Sequence, residues 1–178
     1  MFDKQIHRDE FKLRILVTQR CNNKCEYCLN DFQPFNDKDI NFSHVLTAIE
    51  EYCELIPYDE RQIYISGGEP LLYDSPKLRK ILRKASTNSP KVVLNTSDEI
   101  YYRTLQIENL TEVHFGVHKH TNIEILKTII DFTMSDKLKY TISKVVTSDY
   151  EMSDVLLFLS WFEEYRFSNH LTLKLFLD

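Results

Sequence analysis

This chain of 178 residues contains no apolar run near the roughly 20 residues that span a bilayer, so no membrane helix is expected. Its first ten residues are charged and lack the apolar core of a signal peptide, which predicts a cytoplasmic protein. It has no basic excess either. The formal net charge is -5, which argues against general nucleic-acid binding. There is no low-complexity tract, linker or close internal repeat, so residues 1–178 read as a single domain. Glycine is scarce: three in all, two of them adjacent at Gly67 and Gly68. Cysteine is scarce too, with four residues, and three of these fall within eight positions. What is abundant is core-forming material. A hydrophobic content of 43% with 12% aromatics predicts a folded globular chain.

The clustered cysteines are Cys21, Cys25 and Cys28, spaced Cys-x3-Cys-x2-Cys. In a reducing compartment such a group reads as metal ligands rather than disulfides. So short a loop offers three thiolates to one metal centre and leaves a coordination position open, where chemistry can occur. The rival is a structural zinc site completed by a histidine. Zinc sites usually show two separated ligand pairs, and this sequence has no second Cys-x2-Cys; its one His-x3-His, His114 and His118, falls on an expected strand and its exit. Cys53 falls on the apolar stripe of an expected helix and reads as a core thiol.

Periodicity and capping signals predict strands over 12–18, 62–66, 91–94, 112–117, 138–146 and 171–177. Helices are expected over 43–56, 75–85, 98–106, 122–134 and 153–165, with Ser43 and Ser75 as N-caps of the first two. The alternation implies an α/β fold with a parallel sheet and right-handed crossovers, wound as an open sheet or a barrel. Ending on a sixth strand, the chain is expected to form a partial (β/α)6 barrel. Ligands in such folds lie beyond the carboxyl ends of the strands. The cysteine loop after the first strand and Gly67-Gly68-Glu69-Pro70 after the second both lie there. They should be neighbours.

That combination resembles the radical S-adenosylmethionine (SAM) superfamily, with its Cys-x3-Cys-x-aromatic-Cys loop, here Cys21, Cys25, Tyr27 and Cys28, and its Gly-Gly-Glu motif. The stretch from Leu13 to Asn22 is similar to the start of the molybdenum-cofactor GTP cyclase group. The family fold is a partial (β/α)6 barrel. The resemblance implies that Cys21, Cys25 and Cys28 hold three irons of a [4Fe-4S] cluster, and that SAM fills the open position through its amino and carboxylate groups. Reductive cleavage of SAM would yield a 5′-deoxyadenosyl radical that abstracts hydrogen from a small-molecule, peptide or nucleotide substrate. An external electron donor such as flavodoxin or ferredoxin is implied, and a homo-oligomer is left open.

By the same resemblance Gly67 and Gly68 let backbone approach the SAM amino group, and Pro70 completes the motif. Glu69 accepts from an ammonium or from the backbone of the turn, and Tyr27 packs near the adenine. Asn95 partners the SAM carboxylate, beside Thr96 at a position the family shares. Relatives often carry Ser-x-Asp where this chain has Gly116 and His118, so the ribose contact passes to Ser143 or Lys144. His118 is expected to face the site as a hydrogen-bond donor or acid/base, on one side of its strand with His114 and His120. The basic run Lys77, Arg79, Lys80, Arg83 and Lys84 reads as the wet face of a helix. Trp161, Phe158 and Phe162 read as core or interface. An activase that places a glycyl radical on a partner enzyme is the alternative within the family. A non-catalytic iron–sulfur or zinc module is the alternative outside it.

Overall fold

The computed structural model describes residues 11–23, 25, 28, 39–99, 102, 110–118, 121–133, 138–146, 152–163 and 171–177. Among them six strands form one sheet: β1 (Lys12–Leu16), β2 (Gln62–Ser66), β3 (Lys91–Thr96), β4 (Glu112–Val117), β5 (Lys139–Val146) and β6 (Leu171–Leu177). Their order in space is their order in the chain, and every pairing is parallel. The described helices are α1 (Phe42–Leu55), α2 (Ser75–Asn88), α3 (Ile123–Thr133) and α4 (Met152–Glu163). A sequential parallel sheet with intervening helices is the expected partial (β/α)6 barrel, its edges at β1 and β6.

The two faces of the sheet differ in chemistry. Ile15, Ile63, Ile65, Val92, Leu94, Val113, Phe115 and Ile142 alternate along the strands and join Leu78, Ile81, Leu82, Leu126 and Ile130 of the helices in one core. The residues between them stand on the opposite, concave face. Apart from the buried Val93 they are mostly polar: Arg14, Tyr64, Lys91, Asn95, Glu112, His114, Thr141 and Ser143. A parallel sheet normally buries apolar residues on both faces. A polar concave face on this one is the mark of a binding surface.

Several boundaries differ from the sequence expectation for identifiable reasons. Beyond Leu16 the chain keeps one bond to β2, Val17 N donating to Ser66 O at 2.9 Å, and gains partners on its other side. Ile40 N donates to Val17 O at 2.9 Å, and Thr18 forms an antiparallel bridge with Asp39. Asn41 replaces Ser43 as the cap of α1, its Oδ1 accepting from Ser43 N at 2.9 Å. Asp74 replaces Ser75 at α2, accepting from Lys77 N at 2.9 Å. Asparagine and aspartate cap as well as serine, so propensity alone did not separate neighbours. Of the helix expected over 98–106, Glu99 and Tyr102 are described and helical, with Tyr102 N donating to Asp98 O at 3.1 Å. Cys53 is half-buried against the core, its thiol 3.8 Å from Asn88 O. The basic residues of α2 face outward, and Lys84 pairs with Glu50 at 2.7 Å. Phe158 is buried, whereas the side chains of Trp161 and Phe162 lie outside the described set.

One polar cluster ties three strands of the concave face together. Glu112 of β4 accepts from Thr141 Oγ1 of β5 and pairs with His114 Nε2, both at 2.8 Å, and its other oxygen lies 3.2 Å from Lys91 Nζ of β3. The bond from His114, supported by Thr141 and the Lys91 charge, outweighs burial and lowers the Glu112 pKa to about 2. A carboxyl that ionises more readily folded than unfolded stabilises the fold above its ordinary pKa of 4.5 and loses that contribution as pH falls towards about 2. Replacing Glu112 by Gln is therefore expected to cost about 1–2 kcal/mol at pH 7, discounting for the part-exposed lysine. Urea unfolding of both proteins should show that gap shrinking between about pH 4.5 and about pH 2.

Candidate active site

The cysteine loop leaves β1 at the carboxyl end of the sheet, and its first turn is built on the next strand's loop. Gly68 N donates to Thr18 O at 2.8 Å, and Glu69 N donates to Arg20 O at 2.7 Å. Two loops can lie this close only if no side chain intervenes. A Cβ on Gly67 would sit 2.4 Å from Thr18 O, and one on Gly68 would sit 2.4 Å from Arg20 O and 2.7 Å from Gln19 O. Gly67 also has φ +155°, a conformation that favours glycine. The glycine pair thus serves a backbone-to-backbone contact that brings the two motifs together.

Glu69 extends this join to β3. It is fully buried, and its Oε1 accepts from Leu71 N at 3.0 Å and Thr96 Oγ1 at 2.7 Å. Its Oε2 accepts from Ser97 N at 2.9 Å. Burial raises its pKa, with these three bonds working against the rise. Of the two roles expected for Glu69, the geometry shows the one directed at backbone. Pro70 opens the buried 3-10 turn (Pro70–Leu72) that Glu69 caps. Thr96 passes the connection on, accepting from Asp98 N at 3.1 Å. Asp98 in turn accepts from Asn22 Nδ2 in the cysteine loop at 2.8 Å, which closes a circuit of loops.

The base of the cysteine loop is held by residues that local sequence pattern did not single out. Arg20 grips Asp39 with Nε at 3.1 Å and Nη2 at 2.9 Å, and Nη2 also donates to Leu72 O at 2.6 Å. Thr18 Oγ1 donates to Asp39 Oδ1 at 2.7 Å. One arginine therefore joins both ends of the loop to the turn after Gly-Gly-Glu. The pair Arg20 and Asp39 is separated by 19 positions, so no helical or strand period points to it. Glu112 was also missed, although its place two residues before His114 on a strand puts both on one face.

The three clustered cysteines form no disulfide and are half-buried. Cys28 N donates to Cys25 O at 3.0 Å in a tight turn, and Asn23 N lies 3.4 Å from Cys21 Sγ. Among the described residues no three Cys, His, Asp or Glu side chains are placed to hold one metal ion. A cubane does not ask for that, since each thiolate takes a different iron. Three thiols in an eight-residue loop, one receiving a backbone N–H, suit such a cluster in number and donor type. Tyr27 lies outside the described residues, as does His120.

Beside the loops lies a cavity of about 270 Å³, lined by Ser66, Gly68, Asn95, Thr96, Ser97, His114, Gly116, Thr141 and Ser143. Its walls carry hydroxyls, an amide, an imidazole and glycine backbone, which offer hydrogen bonds to a ligand with polar groups. Asn95, Thr96, Ser143 and Gly68 of the expected set come together here. Gly67 is turned to Thr18, and Lys144 goes elsewhere. Lys144 alternates to the opposite face of β5, buried, with Nζ 5.4 Å from the Phe158 ring of α4. The structure therefore brings Ser143 and not Lys144 to the cavity.

The radical SAM superfamily model matches residues 15–140, which includes both loops, the whole of β2, β3 and β4, and the adjoining ends of β1 and β5. The chain belongs to the radical SAM superfamily. The GTP 3',8-cyclase of Vibrio vulnificus (strain YJ016) is 30% identical over 139 residues, 73% of this chain and 36% of that protein. The GTP 3',8-cyclase of Sulfurimonas denitrificans is 30% identical over 129 residues, 70% of this chain and 38% of that protein. The chain thus spans little more than a third of the cyclases it matches. A solved structure of histidine-tagged anSMEcpe with bound AdoMet has the same fold, with TM-score 0.66 and 16% identity, over 94% of this chain and 51% of that one. Radical SAM proteins are enzymes that use a [4Fe-4S] cluster and SAM. Among the described residues no helix is long and apolar enough to cross a membrane.

Two substitutions test the join between the loops. Gly68→Ala forces a Cβ against backbone oxygens that have no rotamer to yield, and should cost about 1–3 kcal/mol. Glu69→Gln keeps one acceptor but turns an amide N–H₂ towards Ser97 N–H. That mismatch is expected to cost about 1–3 kcal/mol. Thermal and urea unfolding measure both, and a neutral Gly68→Ala would mean the loops part freely.

Proposed function

We propose that this domain is the radical-generating core of an enzyme that cleaves SAM reductively and abstracts hydrogen from a small-molecule, peptide or nucleotide substrate. Residues 1–178 act as one such core, supplied with electrons by a flavodoxin- or ferredoxin-like donor. The observation that carries the reading is the backbone join between the cysteine loop and Gly67-Gly68-Glu69, set beside a polar cavity at the carboxyl edge of the sheet. A metal site alone would need the cysteines and would have no use for that join or that cavity.

In this reading Cys21, Cys25 and Cys28 each ligate one iron. The bound cluster and SAM supply an electron and a carbon–sulfur bond whose cleavage gives the 5′-deoxyadenosyl radical. The chain's own work is orientation and exclusion of water. Gly68 presents bare backbone to the cavity, and Asn95 offers an amide beside it, which suits the amino and carboxylate groups of an amino acid. Ser143 carries a hydroxyl on the neighbouring wall, donating to Phe115 O at 3.2 Å and so open as an acceptor for a ribose hydroxyl. Glu69 holds the floor of this arrangement, and Thr96, bonded to it at 2.7 Å, lines the cavity. His114, fixed by Glu112, gives the deeper wall a rigid hydrogen-bonding edge.

Similarity to the GTP 3',8-cyclases extends through the radical-generating part and covers little more than a third of their length. The substrate is accordingly left as a class. Anaerobic reconstitution should load about four irons per chain. Reduction in the presence of SAM should then release 5′-deoxyadenosine, and Cys25→Ala should reduce both signals to background while the far-UV circular dichroism stays as in wild type. Zinc in place of iron, or iron without SAM cleavage, would overturn the reading.

A further inference from the structure

At the deep end of the cavity the wall's own protons are already taken. His114 of β4 and Thr141 of β5 are register partners there, one step further from the carboxyl ends than Gly116 and Ser143. Both turn to the same atom. Thr141 Oγ1 donates to Glu112 Oε1 at 2.8 Å, and His114 Nε2 lies 2.8 Å from that oxygen. An ionised carboxylate only accepts, so the imidazole proton sits on Nε2, and in the neutral ring Nδ1 is a bare acceptor. Among the described residues Nδ1 has no hydrogen-bond partner. The group is held in place. Tyr64 of β2 meets the imidazole edge-on with ring centroids 6.2 Å apart, and Lys91 Nζ lies 3.2 Å from the other Glu112 oxygen. Higher up the pattern repeats: Thr96 Oγ1 gives its hydrogen to Glu69 at 2.7 Å, and Ser143 Oγ to Phe115 O at 3.2 Å. Among the described residues that line the cavity there is no carboxylate, lysine or arginine.

We infer that this deep wall is the substrate subsite, and that it selects a neutral molecule bringing hydroxyl or N–H donors over one that ends in a carboxylate or phosphate. The inference rests on the proposed function, in which SAM takes the part of the cavity beside Gly68 and Asn95. His114 and Thr141 touch the substrate. Glu112 acts through them, as a positioning residue that holds both their protons away from the cavity. A donor group then meets two acceptors, Nδ1 and the Thr141 oxygen. An anionic end would set its own lone pairs against theirs, with no fixed positive charge on the wall to offset the clash. Polar groups left unmatched in a site are a strong source of selectivity.

A pair of isomeric probes separates donors from shape. 1,4-Butanediol ends in hydroxyls, and 1,2-dimethoxyethane has the same atoms and no donor. Each is titrated, by saturation-transfer NMR, into the reconstituted and SAM-loaded chain without reductant. The diol should bind in the millimolar range open to so small a ligand, and about fivefold or more tighter than the ether. Thr141→Val and His114→Ala should each weaken the diol about fivefold, the worth of one hydrogen bond, with unchanged circular dichroism. In Glu112→Gln the side-chain amide brings its own N–H to the pair and frees a proton towards the cavity, so the preference for diol over ether should narrow. Equal binding of the two isomers, or none by either at about 100 mM, would overturn the inference. So would a preference that all three substitutions leave unmoved. A diol that binds the SAM-free chain and is expelled by SAM would overturn it too, since the donors that the wall takes would then be those of the SAM ribose. A chain that loads no iron fails the proposed function itself, a result read before any probe is added.

Discussion

Everything at the carboxyl edge of this sheet depends on two backbone hydrogen bonds, from Gly68 N to Thr18 O and from Glu69 N to Arg20 O. Each is worth about 1 kcal/mol net in isolation. Their importance is geometric. They fix how far the cysteine loop stands from the next strand's turn, and they exist because neither glycine has a Cβ. In a sheet of parallel strands, the loops at one end are otherwise independent and drift with their own side chains. Joining the first two loops by main chain removes that freedom before any ligand arrives, and preorganisation of this kind reduces the entropy lost on binding.

Glu69 carries the order one strand further. A carboxyl group buried without charge compensation is expensive, and burial does raise its pKa. Three donors from two different loops make it tolerable, and together they hold the end of β3 against the turn after β2. The motif glutamate is thus a structural knot beneath the cavity.

How far sequence alone reached follows from which forces are local. Strand and helix periods are local, and so the six strands and the inner stripe Ile125, Leu126, Ile129 and Ile130 were legible. The two motifs were legible because few residue types can do their work: thiolates for iron, glycines for contact without a Cβ. Helix caps were legible only to within a residue or two, since Asn41 and Asp74 offer the same oxygen as Ser43 and Ser75. Long-range side-chain pairs were not legible. Arg20 and Asp39 meet because the chain returns antiparallel to Thr18, and nothing in the spacing of the two announces it. The failure at Lys144 is different. Period two already sets adjacent strand residues on opposite faces, so Ser143 and Lys144 could never both have faced the cavity.

The departures at the end of β4 look unrelated in sequence: a glycine at position 116 and a histidine at position 118. The structure makes them one feature. Alternation puts both on the concave face, and the ring of His118 folds back over Gly116 to reach Cys25. A serine at 116 would press on that ring, and an aspartate at 118 would set a second negative group beside a thiolate. A Cβ at 116 would just touch that ring, 3.4 Å from Nε2. The end of β4 faces the cysteine loop through His118, while its Gly116 lines the cavity together with Ser143 of β5.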